Sequence, residues 1–223
     1  MTESLNNCST ANDPEAGSAF AAAAASLADV GREFYRRGWV LGTSGNFSAV
    51  ISREPLRLAI TVSGADKGAL TADDVIEING TGQRIAGTGR PSAETGLHLA
   101  IVRLRSAGAV LHTHSVWGTI LSNTYASAGG ISITGYEMLK GLAGVGTHEH
   151  TEWLPIIENS QDYDALSREV AGILARRPEA HGILIRRHGL YTWGKDCSEA
   201  RRHVEIIEFL LEVIGRSAAG ARS

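Results

Sequence analysis

Cysteine is almost missing from this 223-residue chain, with only Cys8 and Cys197 present, so a disulfide framework and a cysteine-rich metal cluster are both excluded. A tightly held metal would have to rest on histidine and carboxylate instead. Basic charge is not in excess either: 21 Lys and Arg stand against 24 Asp and Glu, a formal net charge of −3. That leaves no field for nucleic acid or for an anionic membrane surface. The longest apolar run, Ala19 to Val30, is too short for a bilayer and is interrupted by Ser26 and Asp29. No positively charged n-region opens the chain, so a secretory signal is not expected. His-Glu-x-x-His, Gly-x-Gly-x-x-Gly and the Walker phosphate loop are all absent, which removes zincin protease, dinucleotide-binding and nucleotide-hydrolase readings. What is present, 43% hydrophobic and 20% charged residues, suits a globular protein with a sizeable core, expected in the cytoplasm as an enzyme or a binding protein.

The polar stretch 1–17 predicts a disordered tail, and 18–223 a single domain without internal repeats. Leu27, Val30 and Phe34 at helical spacing predict a helix from Ser18 to Arg37, stopped by Gly38. Residues 39–51 read as strand, tight turn, strand, and Leu56 to Ser63 with Val75 to Ile78 as further strands, the last ending at the hairpin signal Asn79-Gly80. Ser92 is the expected N-cap of a helix whose buried stripe is Leu97, Ile101 and Leu104, ended by Gly108. A short helix is expected after Trp117, a loop-to-helix turn around Thr134 to Gly141, and a helix from Asp162 to Arg177. The strand at 182–187, the turn at His188-Gly189 and the partner strand from Leu190 to Trp193 then lead into a long helix opened by Asp196 and Glu199. Hairpins inside a frame of helices imply an α/β sandwich with a largely antiparallel sheet.

The chemistry points first to Ala109–Trp117, an apolar strand pattern holding His112 and His114. Side chains at i and i+2 leave the same face of a strand, so the two imidazoles point together, as half of a zinc site requires, although two core or surface histidines on a strand have the same spacing. His188, where a strand turns sharply before Gly189, is placed to reach over the sheet and complete it. Three further features suit an anion. Ser44-Gly45-Asn46 lies in a turn where glycine lets backbone approach and Ser and Asn add donors, although the same residues make a plain hairpin turn. Ser63-Gly64 lies in a second turn with Lys67, which reads equally as facing a phosphate or as solvated. Ser92 at a helix N-terminus serves as a cap, a phosphate donor or both. A second His-x-His, His148 and His150, lies in a polar glycine-flanked segment and reads as exposed loop, and His98, His181 and His203 as structural or solvent-facing.

Taken in order, the Ser-Gly-Asn turn, the Ser-Gly turn, Pro91-Ser92-Ala93-Glu94, His112-Thr113-His114 and His188-Gly189 resemble the class II aldolase/adducin family over about residues 20–214. The resemblance implies a three-layer α/β/α sandwich around the antiparallel sheet. It implies phosphate binding by Ser44, Gly45, Asn46, Ser63, Gly64 and Ser92, and one zinc per subunit on His112, His114 and His188. It also implies a homotetramer acting on a small sugar phosphate. Glu137-Met138-Leu139-Lys140-Gly141, Pro155 to Asn159 and Arg186 to Gly194 resemble most the branch that dehydrates a 2-ketose 1-phosphate bearing a methylthio group on C5. In eukaryotic members of that branch the glutamate of the Glu-Met-x-Lys-Gly segment is the proposed acid/base, here Glu137. Those members carry cysteine at the position of Glu94, and Ala93 replaces a second phosphate-binding serine, a departure that leaves both glutamates open for the proton, with Glu137 the first choice and Glu94 the second. The alternatives are sugar-phosphate aldolase, sugar-phosphate 4-epimerase, or a metal-free interaction module, for which lost histidine ligands are expected.

Overall fold

Alternation along one central strand separates two cores. In the computed structural model, which describes residues 14–220, strand β5 (Ala109–Thr113) lies fifth in a sheet of nine strands among the described residues. The others are β1 (Asn46–Arg53), β2 (Leu56–Thr61), β3 (Val75–Asn79), β4 (Arg84–Ala86), β6 (Gly130–Thr134), β7 (Thr151–Ile157), β8 (Gly182–Ile185) and β9 (Gly189–Gly194), in the order β4-β3-β2-β1-β5-β9-β8-β7-β6. Pairing is antiparallel throughout except between β7 and β8. Val110 of β5 faces a core with Leu58, Ile60, Ile76, Ile78, Ile183 and Tyr191, covered by Leu97 and Ile101 of α2 (Thr95–Arg105) and Leu166 and Val170 of α4 (Tyr163–Arg176). Leu111 faces the other side with Phe47, Leu27 and Phe34 of α1 (Pro14–Arg36) and Val204 of α5 (Cys197–Gly220). Farther along that side, Leu210 and Leu211 of α5 pack on Leu184, Leu190 and Leu121 of α3 (Val116–Thr124).

Several local expectations shift. Most of the stretch 1–17 lies outside the described residues, but 14–17 form the first turn of α1. Residues 39–45 are turns rather than a strand, because positive φ at Gly38, Gly42, Thr43 and Gly45 breaks the extended chain. Helix α2 starts at Thr95 with Glu94 as its N-cap; Ser92 caps the preceding turn, its Oγ accepting from Glu94 N at 3.2 Å. Its C-cap is Ser106 in the left-handed region, not Gly108, and Leu104 is exposed, since the buried face runs through Leu97, His98, Ile101 and Val102. No helix among the described residues is long and apolar enough to cross a membrane.

Glu208 of α5 is buried beneath the end of β5, accepting a hydrogen bond from Thr113 Oγ1 at 2.7 Å. Burial pushes its carboxyl from an ordinary 4.5 up to about 7, with hydrogen bonds from Ser115 and Thr113 opposing the rise. Between those values the folded protein keeps a proton that the unfolded chain has released, so stability falls as pH rises through the window. Above it the loss is on the order of 3 kcal/mol. Glu208→Gln keeps the acceptor and removes the charge. It is expected to match the unmodified protein in denaturant melts at pH 4 and to exceed it at pH 8; a difference independent of pH would refute this role.

Candidate active site

Strand periodicity and one tight turn bring three imidazoles to a point. His112 ends β5 on the α2 side of the sheet, and His114, whose N–H is held by Trp39 O at 2.7 Å, follows just beyond the strand. His188 arrives from the β8–β9 turn, which closes onto β5 because Gly189 has no side chain: a Cβ there would stand 1.9 Å from Thr113 O. The Nε2 atoms lie 2.7 Å (His112 to His114), 3.1 Å (His114 to His188) and 3.3 Å (His112 to His188) apart. These separations approach the edge of a tetrahedron built from bonds of about 2.0–2.1 Å to zinc, roughly 3.3 Å.

The electrostatics agree with a cation. His112 donates Nδ1–H to Leu190 O at 3.0 Å, which leaves Nε2 with its lone pair facing the other rings. Burial pushes the His112 ring well below its ordinary range, His114 to about 4 and His188 down as well, so these rings are neutral at physiological pH, each with a lone pair to offer a metal. Glu94 adds its carboxylate, with Oε1 3.2 Å from His188 Nε2 and Oε2 3.6 Å from His112 Nε2. Neutral nitrogen lone pairs and a carboxylate crowded around one point repel unless a positive ion sits among them. His112, His114 and His188 also form the group among the described residues with the spacing to hold a metal.

Behind Glu94 runs a chain of hydrogen bonds with a fixed direction. Ser48 Oγ lies 2.7 Å from His98 Nδ1, and His98 Nε2 meets Asn46 Oδ1. Asn46 Nδ2 then donates to Glu94 Oε2 at 2.6 Å and reaches Ser92 Oγ at 3.3 Å. His98 is fully buried, and burial pushes its ring down to about 3, so it remains neutral and donates through Nε2. Sequence reasoning set His98 aside; its place four residues after Glu94, on the same helix face, was the signal available.

Beside the histidines opens a cavity of about 540 Å³, a size that admits a small phosphorylated sugar. Ser44, Gly45, Asn46, Ser63, Gly64, Ser92 and Glu94 line it together with His114 and His188. Ser44 Oγ is buried there without a hydrogen-bond partner among the described residues, as a donor awaiting an anion would be. Gly45 is at φ +73, and a Cβ would stand 2.6 Å from His112 O, so only glycine lets this turn lie against the metal strand. Lys67 is placed differently from the expectation of a cavity-facing lysine. It is buried beneath the turns, its Nζ donating to Ala65 O at 2.8 Å and Thr43 O at 3.3 Å, and burial pushes it down to about 8. Thr119, Asn159, Gln161, Tyr163 and Arg187 also line the cavity, and no spacing in the sequence singles them out.

Glu137 is not brought to this point. It begins a 3₁₀ turn at 137–141 with its side chain 72% exposed, paired to Lys140 at 2.7 Å and 3.8 Å from His148. Within one chain the carboxylate beside the imidazoles is Glu94. Tyr191 lies flat on His112, ring centroids 3.9 Å apart, and burial followed by the Glu94 carboxylate pushes its hydroxyl well above the ordinary range, so it keeps its proton. His148 is exposed, as expected of a loop, whereas His150 and His181 flank the buried Glu152 at 3.0 and 2.9 Å.

The model of the class II aldolase and adducin N-terminal domain matches residues 25–214. The chain is 46% identical over 194 residues to a methylthioribulose-1-phosphate dehydratase of Marinobacter nauticus, covering 86% of this chain and 92% of that protein. It is 44% identical to the enzyme of the same name from Sorangium cellulosum, covering 86% and 91%. The structure of L-fuculose-1-phosphate aldolase from Thermus thermophilus superimposes with a TM-score of 0.69 at 20% identity, covering 94% of this chain and 98% of that one, which shows a shared fold.

Proposed function

Because the chain belongs to the class II aldolase and adducin family, we propose that its three histidines hold one zinc ion and that the adjoining cavity receives the phosphate of a sugar phosphate. The activity is that of a hydro-lyase. Water is removed from 5-methylthioribulose 1-phosphate to give 2,3-diketo-5-methylthiopentyl 1-phosphate, a step of methionine salvage. The observation that carries the metal reading is the meeting of three Nε2 atoms within 3.3 Å of one another beside a carboxylate.

Zinc held by His112, His114 and His188 supplies Lewis-acid stabilisation of the negative charge that grows on the substrate's C2 carbonyl oxygen. The chain's own groups do the rest. Ser44, Gly45, Asn46, Ser63, Gly64 and Ser92 bind the phosphate on C1, with Lys67 holding both turns in place from below. That anchoring fixes C3 relative to the base, the entropic part of the catalysis. Glu94, oriented by Asn46, takes the proton from C3. The hydroxyl on C4 then leaves as water once protonated, and the resulting enol takes up a proton at C4 and releases the one on its C3 oxygen to become the 2,3-diketone. Glu94, carrying the proton taken from C3, gives it to the departing hydroxyl, and Glu137, held ionised at the surface of its own chain by Lys140, is the alternative acid/base, reaching a cavity only from a neighbouring subunit of a homotetramer. The fold is read as three layers, α/β/α, and the enzyme as working in the cytoplasm.

The test is to give purified protein methylthioribulose 1-phosphate and weigh the product. A dehydratase yields a single species lighter by one water with every carbon retained. Chelation should abolish its formation and zinc restore it. Two carbon fragments, or turnover indifferent to the chelator, would overturn the reading.

A further inference from the structure

The ring of His188 lacks the anchor that His112 has. His112 is oriented by its Nδ1–H bond to Leu190 O, whereas the buried Nδ1 of His188 has no hydrogen-bond partner among the described residues. Ligating histidines are ordinarily aimed by a bond from the second ring nitrogen. Without one, the direction of the His188 ring falls to the backbone that carries it.

That backbone is the link 186–188 between β8 and β9, and it is strained: Arg187 occupies the left-handed region at φ +55. The link is held by helix α3. Ser122 Oγ accepts the Arg187 N–H at 3.0 Å, and Asn123 Oδ1 accepts Nε–H from both Arg186 (3.0 Å) and Arg187 (2.8 Å). Arg186 is also tied to Glu158 at 2.8 Å, and Thr119 Oγ1 reaches His188 O at 3.4 Å. Helix α3 begins immediately after His114, capped by Ser115, whose Oγ accepts from Gly118 N at 2.9 Å. One continuous segment, 109–124, thus provides two of the imidazoles and grips the turn that presents the third.

We propose that Asn123 is a positioning residue: by accepting from both guanidinium groups of the β8–β9 turn, its side-chain oxygen aims His188 at the ion held by His112 and His114. The inference rests on the zinc reading above. It is tested with Asn123→Leu, which keeps the volume and loses the acceptor, and Asn123→Asp, which keeps the acceptor. Zinc affinity is measured by competition with a chromophoric chelator, and ligand geometry by the visible absorption of the cobalt-loaded protein. Asn123→Leu should bind zinc about 10–100-fold more weakly, with an altered cobalt spectrum. Asn123→Asp should stay close to the unmodified protein in both, because a charged acceptor holds two guanidinium groups at least as well. A purely structural role would lower the melting temperature without changing either metal readout. Equal zinc affinity in Asn123→Leu, or no rescue by Asn123→Asp, overturns the inference. Should Asn123→Leu fail to fold, Ser122→Ala decides in the same way: weaker zinc binding supports the clamp and unchanged binding refutes it. An unmodified protein that takes up no zinc would overturn the metal reading and this inference together, whereas equal affinities overturn the inference alone.

Discussion

His114→Ala is expected to retain no stoichiometric zinc and to turn over methylthioribulose 1-phosphate at least about 10³-fold more slowly, while melting close to the unmodified protein. The magnitude follows from the job removed. Lewis-acid stabilisation of a developing oxyanion is worth several kcal/mol, and about 4 kcal/mol of barrier corresponds to roughly a thousandfold in rate. His114 is the cleanest of the three to remove, because it lies past the end of β5 and is only partly buried. His112 is stacked on Tyr191 and bonded to Leu190 O, so its loss would also disturb the core. Metal analysis, initial rates and a thermal melt on the same preparation check the prediction. A variant that keeps its zinc, or more than about a tenth of the rate, would show that the third ligand lies elsewhere.

Replacing the two glutamates separates their assigned roles. Glu94→Gln should cost about 10²–10⁴-fold in kcat, the range for a positioned general base. The amide keeps the shape of the carboxylate, and the hydrogen bond from Asn46 Nδ2 still has an oxygen to meet. Glu137→Gln should cost a similar factor only if an oligomer delivers it to a second chain, since on its own chain it pairs with Lys140 at the surface. Hybrid assembly tests that directly. Mixing inactive Glu137→Gln and inactive His114→Ala subunits should restore part of the activity, because some cavities then combine intact histidines with a neighbour's intact Glu137. No recovery on mixing, together with a fully active Glu137→Gln, would remove Glu137 from the reaction and leave Glu94 alone with the proton.

The histidine cluster was legible because strand geometry has a period of two: His112 and His114 share a face in any strand pairing. His188 was legible from its setting, an imidazole at a sharp turn followed by the one residue that fits against Thr113. The glycine turns were recognisable because positive φ at Gly45 and Gly64 needs glycine. Other features turn on three-dimensional context. His98 on a helix reads the same in sequence whether it meets solvent or, as here, Ser48 and Asn46. The N-cap of α2 moved because Ser92 to Thr95 form a turn of their own, closed by Thr95 N–H to Ser92 O at 3.1 Å, so the helix starts three residues beyond Ser92. Strands β6 and β7 finish one side of the sheet; β6 alternates only over the four residues Ile131 to Thr134 after Gly130, and β7 carries Pro155 within it. Lys67 looks the same in a solvated loop as when buried under two turns. Glu137 shows a different limit, because the resemblance attaches the residue to the chemistry without saying which copy of the chain presents it.

The position of β5 has a consequence for how an ion held by the proposed site would come and go. Local opening in proteins starts at fringes and loops and reaches central strands last, and β5 has four strands on either side. The grip therefore has a fixed hand and a movable one. Opening of the β8–β9 turn would release His188 first and leave His112, rooted in β5, and His114, just past its end, as a two-pronged chelate to which a single ring has to return.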